Sequence, residues 1–230
     1  TPKPSSAASD VYKRQQYNGT LHGASWTSSG YFDGAYDFVA ADTDSIEEPY
    51  IYDFFADNYS IVFWFKRKTT GVFQHFFGLA RKDPTVIILY FSDTDDTIHY
   101  RQYDGSTYAI DTYTNVSITD TTNWHQLIVT YNIDSQDAYV YLDGQRVAHD
   151  TGGQGSGSTD YSCYLGASYK GLTNADVYID EFRLYNSTLP PSYVTQTYNN
   201  AIGTAGYGNL LNEETQPAPP TPSNDTCSYS

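Results

Sequence analysis

The stretch from Asn123 to Ala148 reads NWHQLIVTYNIDSQDAYVYLDGQRVA and predicts three consecutive β-strands. The second strand alternates valine and leucine with tyrosine, and Asp143-Gly144 then supplies a tight turn with positive φ before the chain returns antiparallel. Trp124 precedes the first strand, where a large ring can close one end of a core. Nothing in the stretch resembles a nucleophile, a phosphate loop or a metal cage, so we interpret it as framework. The first strand has large apolar side chains at every second position, the period of a strand with one buried face: Leu127, Val129, Tyr131 and Ile133.

Composition narrows the class of protein. The chain has 230 residues, including 24 tyrosines, 17 glycines and no methionine, which favours strands and turns over helices. Its formal charge of −15 would repel the phosphates of nucleic acids and anionic membranes, so we expect neither as a partner. No apolar run is long enough to insert into a bilayer.

Glycosylation signals and cysteines favour an extracellular location. A disulfide between the two cysteines, Cys163 and Cys227, would attach the C-terminal tail to a domain of its own subunit or of a neighbour. Two unpaired thiols are the alternative, and the sequence leaves both open. Five N-glycosylation sequons occur, at Asn18, Asn58, Asn115, Asn186 and Asn224.

The chain divides into three parts. Residues 1–16 have low hydrophobicity and predict a solvated arm, 17–200 carry the strand pattern, and 201–230 form a proline-containing tail or linker. About a dozen short strands at regular spacing are typical of an all-β sandwich of two antiparallel sheets. Leu189 to Tyr198 predicts one short C-terminal helix with prolines at its start.

Individual strands carry further signals. Ser60 to Phe65 is apolar on both faces, as expected of a strand between two layers, and Val86 to Phe91 predicts a central strand. Val116 to Ile118 reads as a short polar strand. The apolar residues around Asp180-Glu181 do not keep one parity, which indicates a β-bulge or burial on both faces.

Five motifs together resemble the laminin G-like, concanavalin A-like jelly-roll family over roughly residues 17–200. The resemblance implies two facing antiparallel sheets of about six strands each. Modules of this family are mostly extracellular and non-catalytic, and they serve in adhesion, sugar binding or larger assemblies. The motifs are GYFDG at 30–34 with YDFV at 36–39, SIVFWFK at 60–66, NWH at 123–125 with VTY at 129–131, VYLDG at 140–144, and YIDEFRLYN at 178–186 followed by Leu189-Pro190.

The sequence does not predict an enzyme. The glucanases that share this jelly roll typically carry Glu-x-Asp-x-Glu on one strand face, because glycoside hydrolysis needs two carboxylates across a cleft. Asp180 and Glu181 are adjacent and would point to opposite faces of a regular strand. His75, His99 and His125 show no ligand spacing, and His125 occupies a framework position of the family. None of the five glutamates forms the glucanase spacing: Glu47, Glu48, Glu181, Glu213 and Glu214.

No cofactor is required by these motifs, although the resemblance allows one structural Ca²⁺. Calcium prefers carboxylate and carbonyl oxygens, and the nearest candidates are Asp33, Asp37 and Asp180. They are grouped because the first and last strands are often neighbours in this family. The alternative is that Asp33 serves the turn at Gly34 and Asp180 caps a strand ladder.

Sugar binding would use exposed aromatic rings beside polar acceptors. The alternative is that strands favour tyrosine in any case, or that a partner covers this face. The candidate rings are Tyr103, Tyr108, Tyr113, Tyr139, Tyr141 and Tyr169.

The leading hypothesis from the sequence is a non-catalytic extracellular glycoprotein that assembles with copies of itself. Its terminal segments could add to an exposed sheet edge of a neighbour, since the backbone supplies the hydrogen bonds, and repetition would build a filament. The alternative is a carbohydrate-binding module of a mosaic protein, with residues 203–230 as the linker to its next domain.

Overall fold

The computed structural model describes residues 19–49, 54–80, 85–104, 107–153, 162–168 and 173–203. These residues form fourteen strands and the α-helix α1 (Pro191–Ala201). The strands are β1 (Thr20–His22), β2 (Ser25–Thr27), β3 (Ala35–Phe38), β4 (Ser45–Pro49), β5 (Tyr59–Arg67), β6 (Gln74–Ala80), β7 (Thr85–Phe91), β8 (Ile98–Tyr103), β9 (Tyr108–Tyr113), β10 (His125–Asn132), β11 (Asp137–Leu142), β12 (Gln145–Thr151), β13 (Ser162–Leu165) and β14 (Val177–Tyr185).

The strands form two antiparallel sheets, which confirms the predicted sandwich. Sheet A has the order β1-β4-β13-β6-β7-β8-β9, and sheet B has the order β12-β11-β10-β5-β14-β3-β2. Each sheet has seven strands rather than about six, because the chain from Thr20 to Thr27 forms two three-residue edge strands.

The stretch from Asn123 to Ala148 forms β10, β11 and β12, which lie from the third position to one edge of sheet B. Leu127, Val129 and Tyr131 are fully buried between the sheets, as their spacing predicts. The hairpin between β11 and β12 turns through Asp143 and Gly144, whose φ angles are 51° and 74°. A two-residue turn with two positive φ angles matches the right-handed twist of the paired strands.

Strand β5 is buried on both faces, because α1 covers the outer face of sheet B. Phe63 and Phe65 point into the inner core, whereas Val62 lies in a second cluster under the helix. Trp64 stacks on Tyr31 with a centroid distance of 3.8 Å. The second cluster joins strands and helix: Val62, Ile128, Tyr141, Leu189, Tyr193 and Val194.

The predicted bulge in β14 is present between Asp180 and Arg183. Glu181 has a φ of 53°, a left-handed conformation that is uncommon for a non-glycine residue. The bulge turns Phe182 into the core, where its ring lies 6.1 Å from that of Phe63 and 6.0 Å from that of Phe77.

The predicted strand at Val116 to Ile118 is wrong. The hydroxyl of Thr114 donates to the carbonyl of Val116 at 2.9 Å, which bends the chain out of the sheet. The amide of Ile118 then donates to the carbonyl of Asp96 at 2.9 Å, in the turn between β7 and β8. Local side-chain bonding of this kind competes with a strand ladder.

The two long sides of the sandwich differ. On one side β9 contacts β12, and the amide of Asp111 donates to the carboxylate of Asp150 at 2.9 Å. On the opposite side the sheets end in β1 and β2, whose Leu21 and Trp26 side chains are exposed. Among the described residues, the sandwich is therefore closed at one side and open at the other.

Candidate functional site

The outer face of sheet A carries a row of aromatic side chains across four strands. The register pairs His75 with Tyr90, Tyr90 with His99, and His99 with Tyr113, so that these side chains share one face. Phe73, just before β6, extends the row. We call these five residues the aromatic row.

The rings of the aromatic row contact one another in sequence. Phe73 lies 4.9 Å from Tyr90, Tyr90 stacks on His99 at 4.7 Å, and His99 stacks on Tyr113 at 5.2 Å between ring centroids. Tyr90 is buried, whereas Phe73 is 41% and Tyr113 is 58% exposed. Neighbouring rings thus occupy the faces of the middle rings, and the two end rings carry the exposed aromatic surface.

A charged pair lies beside the row. The guanidinium of Arg101 lies 5.2 Å from the ring centroid of Tyr90 and 5.0 Å from that of Tyr108, distances typical of cation–π contacts. Its Nε donates to the carboxylate of Asp111 at 2.8 Å, and both side chains are partly exposed. Tyr103 packs edge-on against Tyr108. These four residues and the aromatic row form the aromatic face.

Burial controls the protonation of the row. Burial, with a smaller effect of Arg101, lowers the pKa of His75 to about 4 and also lowers the pKa of His99. Burial raises the pKa of Tyr90 to about 12. Near neutral pH the three rings are therefore uncharged, and Arg101 and Asp111 provide the charges of the aromatic face.

The structure brings three of the six candidate tyrosines together. Tyr103, Tyr108 and Tyr113 lie on the aromatic face. Tyr139 and Tyr141 lie on sheet B, where Tyr141 is buried under α1 and Tyr139 stacks on His149. Tyr169 lies outside the described residues.

Sequence reasoning missed Phe73, Tyr90 and His99 as members of this face. The alternation of Ile98, Tyr100 and Gln102 with His99 and Arg101 in β8 already indicated which side chains point outward. The register that places His99 beside Tyr90 and Tyr113 joins distant parts of the chain, and that pairing is not readable from the spacing.

The carboxylates considered for catalysis have structural partners. Asp180 is buried, and its Oδ2 accepts the amide of Phe32 at 3.0 Å. Glu181 forms an ion pair with Arg183. Glu47 accepts the hydroxyl of Tyr164 at 2.8 Å.

The remaining glutamates are Glu48, Glu213 and Glu214. Burial raises the pKa of Glu48, which follows Glu47 in β4. Glu213 and Glu214 lie outside the described residues. The absence of enzymatic activity stays a prediction.

The three calcium candidates do not converge on one point. Asp33 is exposed, Asp37 forms an ion pair with Lys68, and Asp180 binds the amide of Phe32. Within the described ranges, no group of three or more His, Cys, Asp or Glu side chains is arranged to hold a metal ion. A structural Ca²⁺ stays a prediction.

Three of the predicted glycosylation sites lie in the described part of the chain. Asn115 and Asn186 are exposed, whereas the Oδ1 of Asn58 accepts the amide of Ile133 at 2.9 Å. Asn18 and Asn224 lie outside the described residues.

The predicted disulfide involves one described residue. Cys163 is buried in the inner core, and burial raises the pKa of its thiol. Cys227 lies outside the described residues, so the pairing stays a prediction.

No helix in the described part of the chain has the length and apolar character needed to cross a membrane. The sequence matches none of the curated proteins.

Several solved structures share the fold at low sequence identity. The binding domain of Paraclostridial Mosquitocidal Protein 1 superposes with a TM-score of 0.62 and 16% identity, over 80% of this chain and 48% of that one. Domain 4 of AbnA, a GH43 extracellular arabinanase from Geobacillus stearothermophilus, was solved in complex with arabinotriose. It superposes with a TM-score of 0.59 and 20% identity, over 77% of this chain and 86% of that one. The binding domain of Botulinum Neurotoxin DC in complex with SialylT superposes with a TM-score of 0.61 and 13% identity, over 82% of this chain and 48% of that one. This chain thus spans about half the length of the two toxin domains.

A family model described as the concanavalin A-like lectin/glucanases superfamily, of the laminin G type, matches residues 33–195. The matched range is well over half of the chain and contains both sheets except the edge strands β1 and β2. The chain therefore belongs to the concanavalin A-like lectin/glucanase superfamily.

Proposed function

We propose that the chain is a non-catalytic, extracellular carbohydrate-binding module that binds glycans on the aromatic face of sheet A. The observation that carries the proposal is the exposure of Tyr113 and Phe73 at the ends of the aromatic row, beside the ion pair of Arg101 and Asp111.

The chemistry of this face suits a sugar. A pyranose or furanose ring has an apolar face that packs on an aromatic ring, and hydroxyl groups that both donate and accept hydrogen bonds. Tyr113 supplies such a ring, Asp111 accepts, and Arg101 donates through the nitrogens not directed at Asp111.

The two outer faces of the sandwich are not equivalent. Sheet B packs its apolar outer residues under α1, while the aromatic face of sheet A is uncovered at Phe73, Tyr108 and Tyr113. Contiguous exposed aromatic surface is a feature of ligand-binding and protein-binding sites, and the contacts along the aromatic row make this surface continuous.

The neighbours support the proposal by analogy. The arabinanase domain is described with arabinotriose and the neurotoxin domain with SialylT. At 20% and 13% identity these likenesses establish the shared fold, and a sugar ligand for this chain is our inference.

Self-assembly through the terminal segments stays a prediction. It depends on the predicted arm at 1–16 and the predicted tail at 201–230, and the arm and the tail from residue 204 onward lie outside the described residues. The exposed sequons at Asn115 and Asn186 support a secreted glycoprotein.

A glycan array probed with the purified chain tests the proposal, with and without EDTA to detect a calcium requirement. We expect binding to a subset of glycans, a loss of signal for Tyr113→Ala, and an unchanged signal for Tyr139→Ala. Tyr139 is the matched control because it is a half-buried tyrosine on the other sheet. Silence across the array, or equal loss in both variants, would overturn the proposal.

A further inference from the structure

Two side chains at the open side of the sandwich face the inner core and are nevertheless exposed. Trp26 lies opposite Tyr36 in the strand register, and Tyr36 lies opposite Ile179 of the core, so the indole is on the inner face of sheet B. Leu21 lies opposite Ile46, which packs against the same core, so Leu21 is on the inner face of sheet A. Inward-facing side chains of a sandwich are ordinarily buried, but Trp26 is 64% and Leu21 is 51% exposed.

These two side chains line a cleft with a volume of about 410 Å³. The charged residues at its boundary have partners outside it, since Asp180 accepts the amide of Phe32 and Glu181 pairs with Arg183. The interior of the cleft therefore favours apolar groups. Its lining on the inner faces of the two sheets is apolar or aromatic: Leu21, Trp26, Tyr36, Ile46, Leu165 and Ile179.

The strands beside the cleft also have unpaired edges. Among the strands that the structure describes, β1 pairs only with β4, and β2 pairs only with β3. The other edge of each strand offers backbone N–H and C=O groups to an added strand. Proteins commonly protect such edges with lysine, proline or inward-pointing charges, but β1 reads TLH and β2 reads SWT. Neither strand contains a lysine, a proline or a carboxylate.

An apolar cleft beside an unpaired strand edge fits an extended peptide. A strand added to β2 would pair through its backbone, and every second side chain would point into the cleft beside Trp26. The alternate side chains would face solvent on a chain whose formal charge is −15, which favours basic residues at those positions.

Other occupants suit the open side less well. A sugar would leave hydroxyl groups without partners against the apolar lining, which costs free energy. A second copy of the chain would bring the same negative charge. Its three-residue edge strands would also bury little of the roughly 800 Å² per partner that a stable interface needs.

We propose that the open side of the sandwich is a docking site for an extended, basic peptide segment of another protein, which adds to the edge of β2 and inserts apolar side chains into the cleft at alternate positions. The indole of Trp26 is supported from below, because a Cβ atom at Gly34 would lie 2.7 Å from the ring. The site is separate from the aromatic face and does not depend on it.

Fluorescence anisotropy of labelled peptides with the full chain tests the proposal. The probe is KLKLKLK, in which leucine alternates with lysine. KLLKKLK has the same composition without the alternation, and ELELELE reverses the charge. We expect KLKLKLK to bind, and the other two peptides to bind at least about tenfold more weakly.

Backbone pairing is tested with two further versions of KLKLKLK, one methylated at the leucine nitrogens and one at the lysine nitrogens. Only one edge of an added strand pairs with the sheet, so at least one of the two versions should lose binding. Hydrogen exchange of the amides at 25–27 should slow when KLKLKLK binds, because those of β2 that face the peptide become hydrogen-bonded.

Trp26→Ala should weaken the binding of KLKLKLK roughly tenfold, because the leucines of the peptide lose their contact with the indole. Ile202→Ala should leave binding unchanged. Ile202 is the matched control because it is a large apolar side chain, 42% exposed, that follows α1 away from the cleft. Thermal unfolding of both variants checks that the fold is intact.

The proposal is overturned if KLKLKLK does not bind, if KLLKKLK or ELELELE binds as tightly, or if both methylated peptides bind like the unmodified one. Parent-like binding by Trp26→Ala also overturns it. Light scattering that shows a dimer, dissociated by Trp26→Ala, would assign the open side to a second copy instead. Slow exchange at β2 in the free monomer would assign the edge to another segment of this chain.

Discussion

The Nδ1 of His125 lies 2.7 Å from the Oδ2 of Asp143, which ties the start of β10 to the hairpin turn that follows β11. The other carboxylate oxygen of Asp143 accepts the amide of Gln126 at 2.9 Å. The carboxylate of Asp143 therefore links the hairpin turn to the start of β10, and it makes the stability of the fold depend on pH.

The hydrogen bond that His125 donates to the carboxylate of Asp143 raises the pKa of His125 above its ordinary value of 6.5. A raised pKa in the folded state means that the stabilisation is complete below the pKa of the unfolded chain. It is lost as the pH rises through the pKa of the folded protein. We expect Asp143→Asn to lower the free energy of unfolding by about 1–3 kcal/mol near pH 6, and by less near pH 8.

The melting temperature of this variant, measured across that range, checks the prediction. Asparagine tolerates the positive φ of position 143 and keeps an acceptor for Gln126, so the change isolates the charge. Asp134→Asn, at an exposed turn position, is the control. An unchanged pH dependence in Asp143→Asn would refute the coupling.

A second prediction concerns a buried ion pair. Arg67 is fully buried, its Nη1 lies 3.0 Å from the Oδ1 of Asp96, and it donates to the carbonyl of Ile118 at 2.5 Å. Asp96→Asn leaves a buried cation without its counterion, which costs about 3–5 kcal/mol. Urea denaturation of this variant measures the loss.

The exposed Asp93→Asn in the same turn should change the free energy of unfolding by less than about 0.5 kcal/mol. The double variant Arg67→Met with Asp96→Asn should recover part of the loss, because the uncompensated charge is removed. Equal stability of Asp96→Asn and Asp93→Asn would contradict this reading.

A third prediction tests the strain at Glu181. Glu181→Gly removes the steric cost of its positive φ, whereas Glu181→Ala removes the same side-chain contacts and keeps that cost. We expect the glycine variant to be about 1 kcal/mol more stable than the alanine variant. Equal stability of the two variants in chemical denaturation would show that the bulge is unstrained.

A fourth prediction separates core packing from surface binding. Phe63 is fully buried, and Phe63→Ala should cost about 3–5 kcal/mol of unfolding free energy. Phe73 is 41% exposed, so Phe73→Ala should cost much less while it weakens glycan binding at the aromatic face. Thermal unfolding and array binding of both variants check this pair. A large loss of stability in Phe73→Ala would instead make it a core residue.

Patterns within single strands predicted much of the fold. Three predictions that depend on local side-chain direction are confirmed. They are the alternation from Leu127 to Tyr131, the apolar run on both faces of β5, and the bulge at Asp180-Glu181. Local patterns failed at Val116 to Ile118, where bonding to the turn at Asp96 overrides strand propensity.

The candidate sites were harder to predict because they depend on pairing between distant segments. His99 meets Tyr90 and Tyr113 only through the register of β7, β8 and β9. Trp26 of β2 and the bulge of β14 line one cleft, although they lie near opposite ends of the described chain. No spacing along the sequence encodes these distances.

The most direct test of the central claim is the dissociation constant of an oligosaccharide that binds on the array, measured by calorimetry for the parent chain and for Tyr113→Ala. If the ring of Tyr113 contributes as much as an aromatic pair, about 0.5–1.5 kcal/mol, Tyr113→Ala should bind roughly 2- to 12-fold more weakly. Tyr139→Ala should bind like the parent chain. Carbohydrate recognition on the aromatic face would be contradicted if the dissociation constant stayed at the parent value in Tyr113→Ala, in Phe73→Ala and in the variant that combines both changes.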